Sequence, residues 1–468
     1  MTDVIVIGGG AAGAAVFGEL LRQHGPGTVH WVVGHAAPGR GVAYSTRDER
    51  HLLNVRASGM GLFHEHGDDF VRHAAASLGR AGEGDFLARS VFGDFVQAQV
   101  QARLDEARRA GRRYLVHAEG ARALYPQADG GYAVELDSGW RVQVRQAALA
   151  IGTLPQRALR AVSAQALASG AYELDPWKLS MRLGEPRRVL VIGTGLTAVD
   201  MLLSAARRWP GAQLVAVSRH GRLPFAHTPL PSFRHLRQDA LNQALLACDG
   251  VRPMLRRLRE AATGAPGTDW RSLVDGMRPI TARLWQRLSH AQRRQFLRHV
   301  RWLWEACRHR MAPATALAIE QLREEGRLQV HPARVLSVDG SGPLAVSVRD
   351  RGAQRIRTIE SDLVVQATGL DTSVAFSTHG LLAQLLRDGL AVPDPLELGV
   401  QADGEGQLLD ASGLPQHGLY AIGSLLRGTQ WECTAMPEIR TAAHRLAGLM
   451  VQRSRRPQLV RSAAPRHV

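Results

Sequence analysis

Two short glycine-rich turns, about 185 residues apart, constrain this 468-residue chain more than any other feature. The first, Gly8-Gly9-Gly10-Ala11-Ala12-Gly13, follows the apolar run Val4-Ile5-Val6-Ile7 and opens a helical stretch over residues 14–24. A breaker, Gly25-Pro26-Gly27, and a second strand expected over 28–33 complete a strand–helix–strand unit. In the G-x-G-x-x-G spacing, Gly8 permits the tight turn, Gly10 lets backbone approach a pyrophosphate, and Gly13 lets helix pack on strand. The amide end of the helix then faces the phosphates with its partial positive charge. The second turn, Gly193-Thr194-Gly195-Leu196-Thr197-Ala198, lies between apolar residues 188–192 and a helical stretch over 199–208, with a strand expected over 212–217. Two such units imply two bound nucleotides.

Residues 146–152 (QAALAIG) and 362–369 (DLVVQATG) each have the form of a strand ending in a small-residue turn, as in chains that cross twice between two nucleotide domains. A late strand over 418–423 feeds a helix over about 436–451, and the tail 452–468 is expected to fray. The fold class is therefore α/β, with two Rossmann-like dinucleotide-binding domains, one inserted in the other. Residues 1–175 and 346–468 are expected to build the outer domain, and 176–345 the inserted one. Residues 224–328 change to Arg/Leu/Trp-rich helical periodicity and are expected to form a helical insertion.

Lys and Arg exceed Asp and Glu by 58 to 42, a net +16, yet only one of the 58 is lysine, Lys178. So complete an arginine bias reflects coding composition as much as any partner, and it weakens a nucleic-acid reading. Cys248, Cys307 and Cys433 stand far apart, and no CxxC exists, which excludes a disulfide-reductase redox pair and a zinc knuckle. No metal site is expected. No basic leader precedes the first strand and no apolar run reaches a membrane-spanning ~18 residues, so a cytoplasmic protein without membrane partners is expected.

Several further stretches carry a family likeness. They are Gly39-Arg40-Gly41-Val42-Ala43-Tyr44, Leu52-Leu53-Asn54-Val55, the run GTGLTAVD over 193–200, Ser218-Arg219-His220-Gly221, His309-Arg310-Met311-Ala312-Pro313, and WECTAMPEIR over 431–440. Together they resemble a bacterial family of FAD/NAD(P)-binding proteins related to single-component flavin monooxygenases, across nearly the whole chain. The resemblance implies FAD in the outer domain and NAD(P)H in the inserted one. It also implies a monooxygenase in which NAD(P)H reduces FAD, O₂ adds at flavin C4a to give a hydroperoxide, and one oxygen atom passes to a small organic substrate. Among substrates, a planar anionic heterocycle such as urate, hydroxylated to 5-hydroxyisourate as in purine catabolism, fits an arginine-rich domain. The alternatives are an amino-acid or amine N-hydroxylase and an NAD(P)H-dependent flavin reductase serving another carrier. A homo-oligomer stays open, and nucleic acid ranks last as a partner.

Residue roles follow from these motifs. For FAD, Gly8, Gly10 and Gly13 cradle the pyrophosphate and Arg40 could reach its oxygens. No acid ends the strand after the first turn, leaving His35 or backbone for the ribose. Asn54 is placed at the flavin edge, Gly423 and Ser424 at the ribityl chain, and Thr434 at the start of the last helix. For NAD(P)H, Gly193, Gly195 and Ala198 form the turn, while Ser218 and Arg219, in place of an acid, favour a 2′-phosphate. Asn54, Trp431 and Arg310 are the catalytic candidates. Trp302 and Trp304 are expected in a core.

Overall fold

The computed structural model describes residues 3–23, 27–230, 235–264 and 268–455. Strand β1 (Val4–Ile7) is buried throughout, and the helix Ala11–Gln23 returns the chain to β2 (Thr28–Val32). Strand β1 is apolar on both faces, as a central parallel strand is, while β2 carries the buried His30, which bonds His117 at 3.0 Å. After the helix Arg89–Arg109 come β3 (Arg113–His117), an antiparallel trio β4 (Ala121–Pro126), β5 (Tyr132–Leu136) and β6 (Arg141–Val144), and then β7 (Gln146–Leu149). The second half supplies β8 (Tyr172–Glu173), β9 (Arg188–Ile192), β10 (Gln213–Ser218), β11 (Leu328–Asp339), β12 (Leu344–Asp350), β13 (Ile356–Ser361) and β14 (Leu363–Gln366). Strands β15 (Gln407–Leu409) and β16 (Pro415–Ala421) close the series.

These strands form two nucleotide-binding sheets. The first runs β15-β16-β7-β1-β2-β3 and the second β13-β12-β11-β10-β9-β14-β8. In each, the strand before the glycine turn is flanked by parallel neighbours on both sides: β1 by β2 and β7, β9 by β10 and β14. That is the switch point at which ligands sit beyond the carboxyl ends of open α/β sheets. Val4, Val6, Ala14, Phe17 and Leu20 pack with the last helix (Met436–Arg455) on one face of the first sheet; Ile5, Ile7 and Leu149 pack with the β4–β6 trio on the other.

The domain limits differ from those read off the sequence. Val162 bridges Val338 and β8 pairs with β14, so the inserted unit begins before 176. Strands β12, β13 and β14 all belong to the second sheet, so the chain returns to the first only after Gln366, not at 346. An antiparallel meander added to β11 carries the ordinary alternation of any half-buried strand, and nothing in it marks which sheet it joins. The two crossovers run side by side: Leu154 bridges Asp371, Arg157 pairs with Asp371 at 2.6 Å, and Gln156 donates to the Gly369 carbonyl at 2.9 Å.

Between β10 and β11 the chain forms a run of helices, among them Gln238–Leu246, Val251–Thr263, Trp270–Gly276, His290–His299, Arg301–Arg308 and Pro313–Glu324. The helical cluster packs back on the closing part of the first domain: Trp285 stacks on Trp431 with ring centroids 4.9 Å apart, and its indole N–H donates to the Gly428 carbonyl at 2.7 Å. The last helix continues to Arg455, so residues 452–455, expected to fray, are helical. The remainder of that tail, 456–468, and the expected helix end and breaker at 24–26 lie outside the described residues. Among the described residues no helix is long and apolar enough to cross a membrane, and no group of three or more His, Cys, Asp or Glu is placed to hold a metal ion.

Candidate functional site

A crevice of about 1390 Å³ opens where the first glycine turn faces the inserted unit. It is lined by Gly9, Gly10 and Ala12, by residues of the 40–51 loop, by Gly152 and Leu154, by Trp177 and Met201, and by Thr434, Met436 and Ile439. What the glycines do there can be read from what a side chain would meet. Gly8, at φ +133°, packs on the Ala150 carbonyl, and Gly13 packs on the Gly8 carbonyl; a Cβ at either would collide. Gly10 differs: a Cβ there meets only the Gly41 Cα, at 3.7 Å. No protein atom requires Gly10 to be glycine, so its bareness serves the crevice. The first intrahelical bond runs from Ala14 N to the Gly10 carbonyl at 2.9 Å, leaving the amides before it turned to the same space. The residues therefore fit a dinucleotide pyrophosphate.

The second turn repeats this division. Gly193, at φ +131°, packs on the Ala367 carbonyl, whereas a Cβ on Gly195 meets nothing within 4 Å. Ala198 is fully buried, and Val199 N to the Gly195 carbonyl (3.0 Å) is the first helical bond. At the end of β10, Ser218 exchanges a 2.8 Å hydrogen bond with Thr194 and accepts from the Gly221 amide at 3.0 Å. Arg219 is exposed beside it. His220 accepts from Arg351, a residue of the β12–β13 hairpin, and stacks on Trp302 at 4.4 Å. Burial, Arg351 and Arg219 all push the His220 imidazole below its ordinary value, so it stays neutral and acts as an acceptor. Trp302, expected in a core, instead covers this half-buried edge. Arg351 was invisible to motif reading because it lies 132 residues from Arg219 and only the added meander brings it near.

Several expected flavin ligands are otherwise engaged. The Arg40 side chain is buried and turned toward the helix Arg89–Arg109, where it bonds Gln97 at 2.9 Å and pairs with Asp94. It lines the crevice but its guanidinium is taken by the protein. His35 bonds Asp137 at 3.3 Å on the surface and does not line the crevice. Ser424 donates to the Gly152 carbonyl, tying the turn at Gly423 to the turn after β7. Neither lines the crevice, whereas Thr434 does. Proline 437 sits in the first turn of the last helix, where its missing N–H costs nothing.

None of the three catalytic candidates lines the crevice. Asn54 contributes its carbonyl, which accepts from His227 Nε2 at 3.1 Å. Trp431 is 3% exposed and its ring is enclosed by Trp285, Phe296 and Arg427, so it belongs to the helical core. Arg310 is 1% exposed and its Nη2 holds both carboxylate oxygens of Asp275, at 2.5 and 2.6 Å. Around it lies a charged cluster that motif reading passed over. Arg278 forks onto Glu438 (Nη2 to Oε2, 2.8 Å), and Arg308 lies 3.7 Å from Glu432 and 3.6 Å from Glu438. Glu432 also accepts from the Trp304 indole at 2.8 Å and faces His309 at 3.6 Å. Burial would raise the Glu432 carboxyl, but His309, Arg308 and Trp304 outweigh it and hold it down at about 2. His227 is driven down to about 4 by burial and by Arg310, and is neutral. Glu432 and Glu438 stand in the quoted 431–440 motif and Asp275 in none, and spacing alone gives no sign that residues 275, 308, 432 and 438 meet.

A 46–51 loop locks the two units together across the crevice. Arg50 donates to the Leu203 carbonyl at 2.7 Å, His51 Nε2 meets Ser204 Oγ at 2.8 Å, and Arg89 pairs with the buried Asp200 at 2.9 Å.

Comparison with known proteins agrees with this geometry. A family model described as FAD-NAD(P)-binding matches residues 5–154, the segment holding the first turn and the 40–54 loop. No curated protein matches the sequence. Among solved structures, the chain is similar to an ornithine N-hydroxylase of Kutzneria sp. 744 in a complex with reduced FAD, NADP⁺ and L-ornithine (TM-score 0.67, 15% identity, 97% of this chain and 99% of that one). It is similar to an L-lysine 6-monooxygenase of Pseudomonas syringae (0.64, 16%, 97% and 100%). It is also similar to an FAD-bound cadaverine monooxygenase of Erwinia amylovora (0.67, 12%, 100% and 99%). The fold is thus the two-sheet α/β fold of these flavoproteins over the full length of each.

Proposed function

We propose that this chain is an FAD-dependent, NAD(P)H-driven monooxygenase that hydroxylates the nitrogen of a small organic amine. The observation that carries it is the pair of bare positions, Gly10 and Gly195, each at a helix amide end at the switch point of its sheet, in a chain with no redox cysteine pair. Bound FAD supplies hydride acceptance and O₂ activation. The chain's own part is to hold and to shield. The Gly8–Gly13 turn and the amides of the following helix hold the pyrophosphate. The start of the helix Met436–Arg455 presents its partial positive end to the crevice and favours negative charge there. Leu154, Trp177, Met436 and Ile439 supply apolar lining that excludes water from the reacting centre.

The named activities of the similar structures, on ornithine, lysine and cadaverine, support the amine reading and not urate. The test is FAD-loaded protein with NADPH, O₂ and each of L-ornithine, L-lysine, cadaverine and urate. Expected is NADPH oxidation stimulated by an amine, with product heavier by one oxygen. NADPH oxidation at one rate with every compound, and all O₂ recovered as peroxide, overturns the reading.

Ser218, Arg219 and Arg351 favour NADPH over NADH in this reading. Arg219→Ala should raise the KM for NADPH by about 10-fold, the size of one charge-assisted hydrogen bond of ~1.5 kcal/mol. The KM for NADH should stay unchanged when both are followed by flavin bleaching without oxygen.

A further inference from the structure

We infer that Lys178, on the inserted unit, and Arg47, on the 40–51 loop of the first domain, are the counter-charges of the FAD diphosphate, so that both units hold the flavin nucleotide. The inference rests on the FAD reading of the first glycine turn and adds residues that the motifs did not supply.

The crevice at that turn has an excess of positive charge. Its lining holds Arg40, Arg47, Arg50, Lys178, Arg207 and Arg208 against Asp48, Glu173 and Asp175. His51 adds nothing, because burial pushes its imidazole below the ordinary value and keeps it neutral. Glu49, in the same loop, does not line the crevice. Two partners reach in from outside the lining, Asp94 to Arg40 and Arg182 to Glu173, and with them the balance is still seven cations to four acids. A dinucleotide diphosphate brings the negative charge that is lacking.

The cations divide by whether the protein has already used them. Arg40 is taken by Asp94 and Gln97, as described above. Arg50 forks onto Asp48 at 2.6 and 2.9 Å and donates to the Leu203 carbonyl, while Arg208 donates to the Arg182 carbonyl. Arg207 has Asp48 at 3.9 Å. Of the six, only Arg47 and Lys178 have neither a hydrogen bond nor an ion pair among the described residues. The acids offer them nothing: Asp48 is held by Arg50, Glu173 by Arg182 at 2.7 Å, and Asp175 accepts from the Trp177 amide at 3.2 Å.

Both free cations stand on fixed backbone, so little ordering is needed to use them. Lys178 follows Pro176 in a helical turn (Pro176–Met181) that Asp175 caps, and its amide donates to the Asp175 carbonyl at 3.0 Å. The next residue, Leu179, is buried with Met201 and Leu202 in the core of the inserted unit. Arg47 lies between Thr46, which bonds His51 Nδ1 at 2.7 Å, and the Asp48 held by Arg50. Composition makes arginine of every basic residue but one among 58, and that one lines the crevice. Lysine offers a compact point charge on a slim stem, which meets phosphate oxygens where a planar fork fits less well.

Flavin-free protein is titrated with FAD, followed by flavin fluorescence, in the parent and in K178Q, K178R and R47Q, at low and high NaCl. Expected is FAD binding weakened about 10-fold by K178Q and by R47Q, the size of one charge-assisted contact, with K178R recovering part of the loss. Added NaCl should weaken FAD binding by the parent more than by K178Q. Melting of the flavin-free chain should be unchanged in K178Q and R47Q, because both side chains are exposed and bond nothing in the protein. Either variant binding FAD as the parent does, K178R as weak as K178Q, or loss of FAD only together with loss of thermal stability overturns the proposal. So does K178Q that binds FAD normally but needs more NADPH for anaerobic bleaching, which gives the lysine to the hydride donor. A parent that takes up no FAD overturns the flavin reading as a whole, whereas unchanged variants overturn the clamp alone. No turnover is measured, so failure of oxygen transfer leaves this binding result standing.

Discussion

Gly10→Val should give a folded, colourless protein. An added Cβ at residue 10 meets only the Gly41 Cα, at 3.7 Å, and residue 10 does not need a left-handed backbone. The protein can accept it, but the pyrophosphate cannot approach. Flavin affinity should fall by at least about 100-fold, ~2.7 kcal/mol, with the thermal midpoint of the flavin-free chain within a few degrees of the parent. Gly13→Ala is the contrasting control. Its Cβ collides with the Gly8 carbonyl and crowds the Trp31 indole nitrogen at 3.2 Å, so this variant should lose the fold and the flavin together. Flavin absorbance per chain and a thermal melt of flavin-stripped protein separate the two outcomes. Loss of flavin from both with equal loss of stability would mean that Gly10 is also only a packing residue.

Glu432→Gln should destabilise the protein by about 3 kcal/mol, because it leaves the buried Arg308 without one of its two counter-charges. The pH dependence follows from the direction of the shift. The Glu432 carboxyl lies at about 2 when folded, below its ordinary 4.5, so its stabilisation is complete above about 4.5 and is lost as pH falls from there toward 2. Over that window the parent should lose stability more steeply than Glu432→Gln, and above pH 5 the gap between them should be constant. Urea unfolding followed by tryptophan fluorescence at several pH values measures it. Parallel pH profiles would show that Glu432 carries no buried charge.

Those two residues also mark what a sequence can and cannot convey. Gly10 was legible because its role is local: a strand, a turn and a helix within twenty residues impose the spacing that reveals it. The same holds for Gly195, for both crossovers and for the helix beginning at Met436. Glu432 was written in a conspicuous motif, yet its partners come from helices more than 120 residues earlier, and no periodicity encodes that meeting. Arg40 shows the reverse error. Flanked by glycines near a phosphate turn, it had the right chemistry for an oxyanion, but Gln97 and Asp94 on a long helix claim its guanidinium first. Trp431 fails for a similar reason: a large apolar ring finds the most apolar surroundings available, here Trp285 and Phe296 of the helical cluster. Domain limits were misplaced because the β12–β13 meander joins the second sheet by edge pairing, which leaves no mark on composition.

Flavin reduction without oxygen tests the twin-cradle reading most directly. Protein reconstituted with FAD, freed of excess and mixed anaerobically with NADPH should show one flavin per chain and lose its visible band at a rate that saturates with NADPH. A chain that takes up no FAD on reconstitution, or whose bound flavin keeps its colour under excess NADPH and NADH alike, contradicts it.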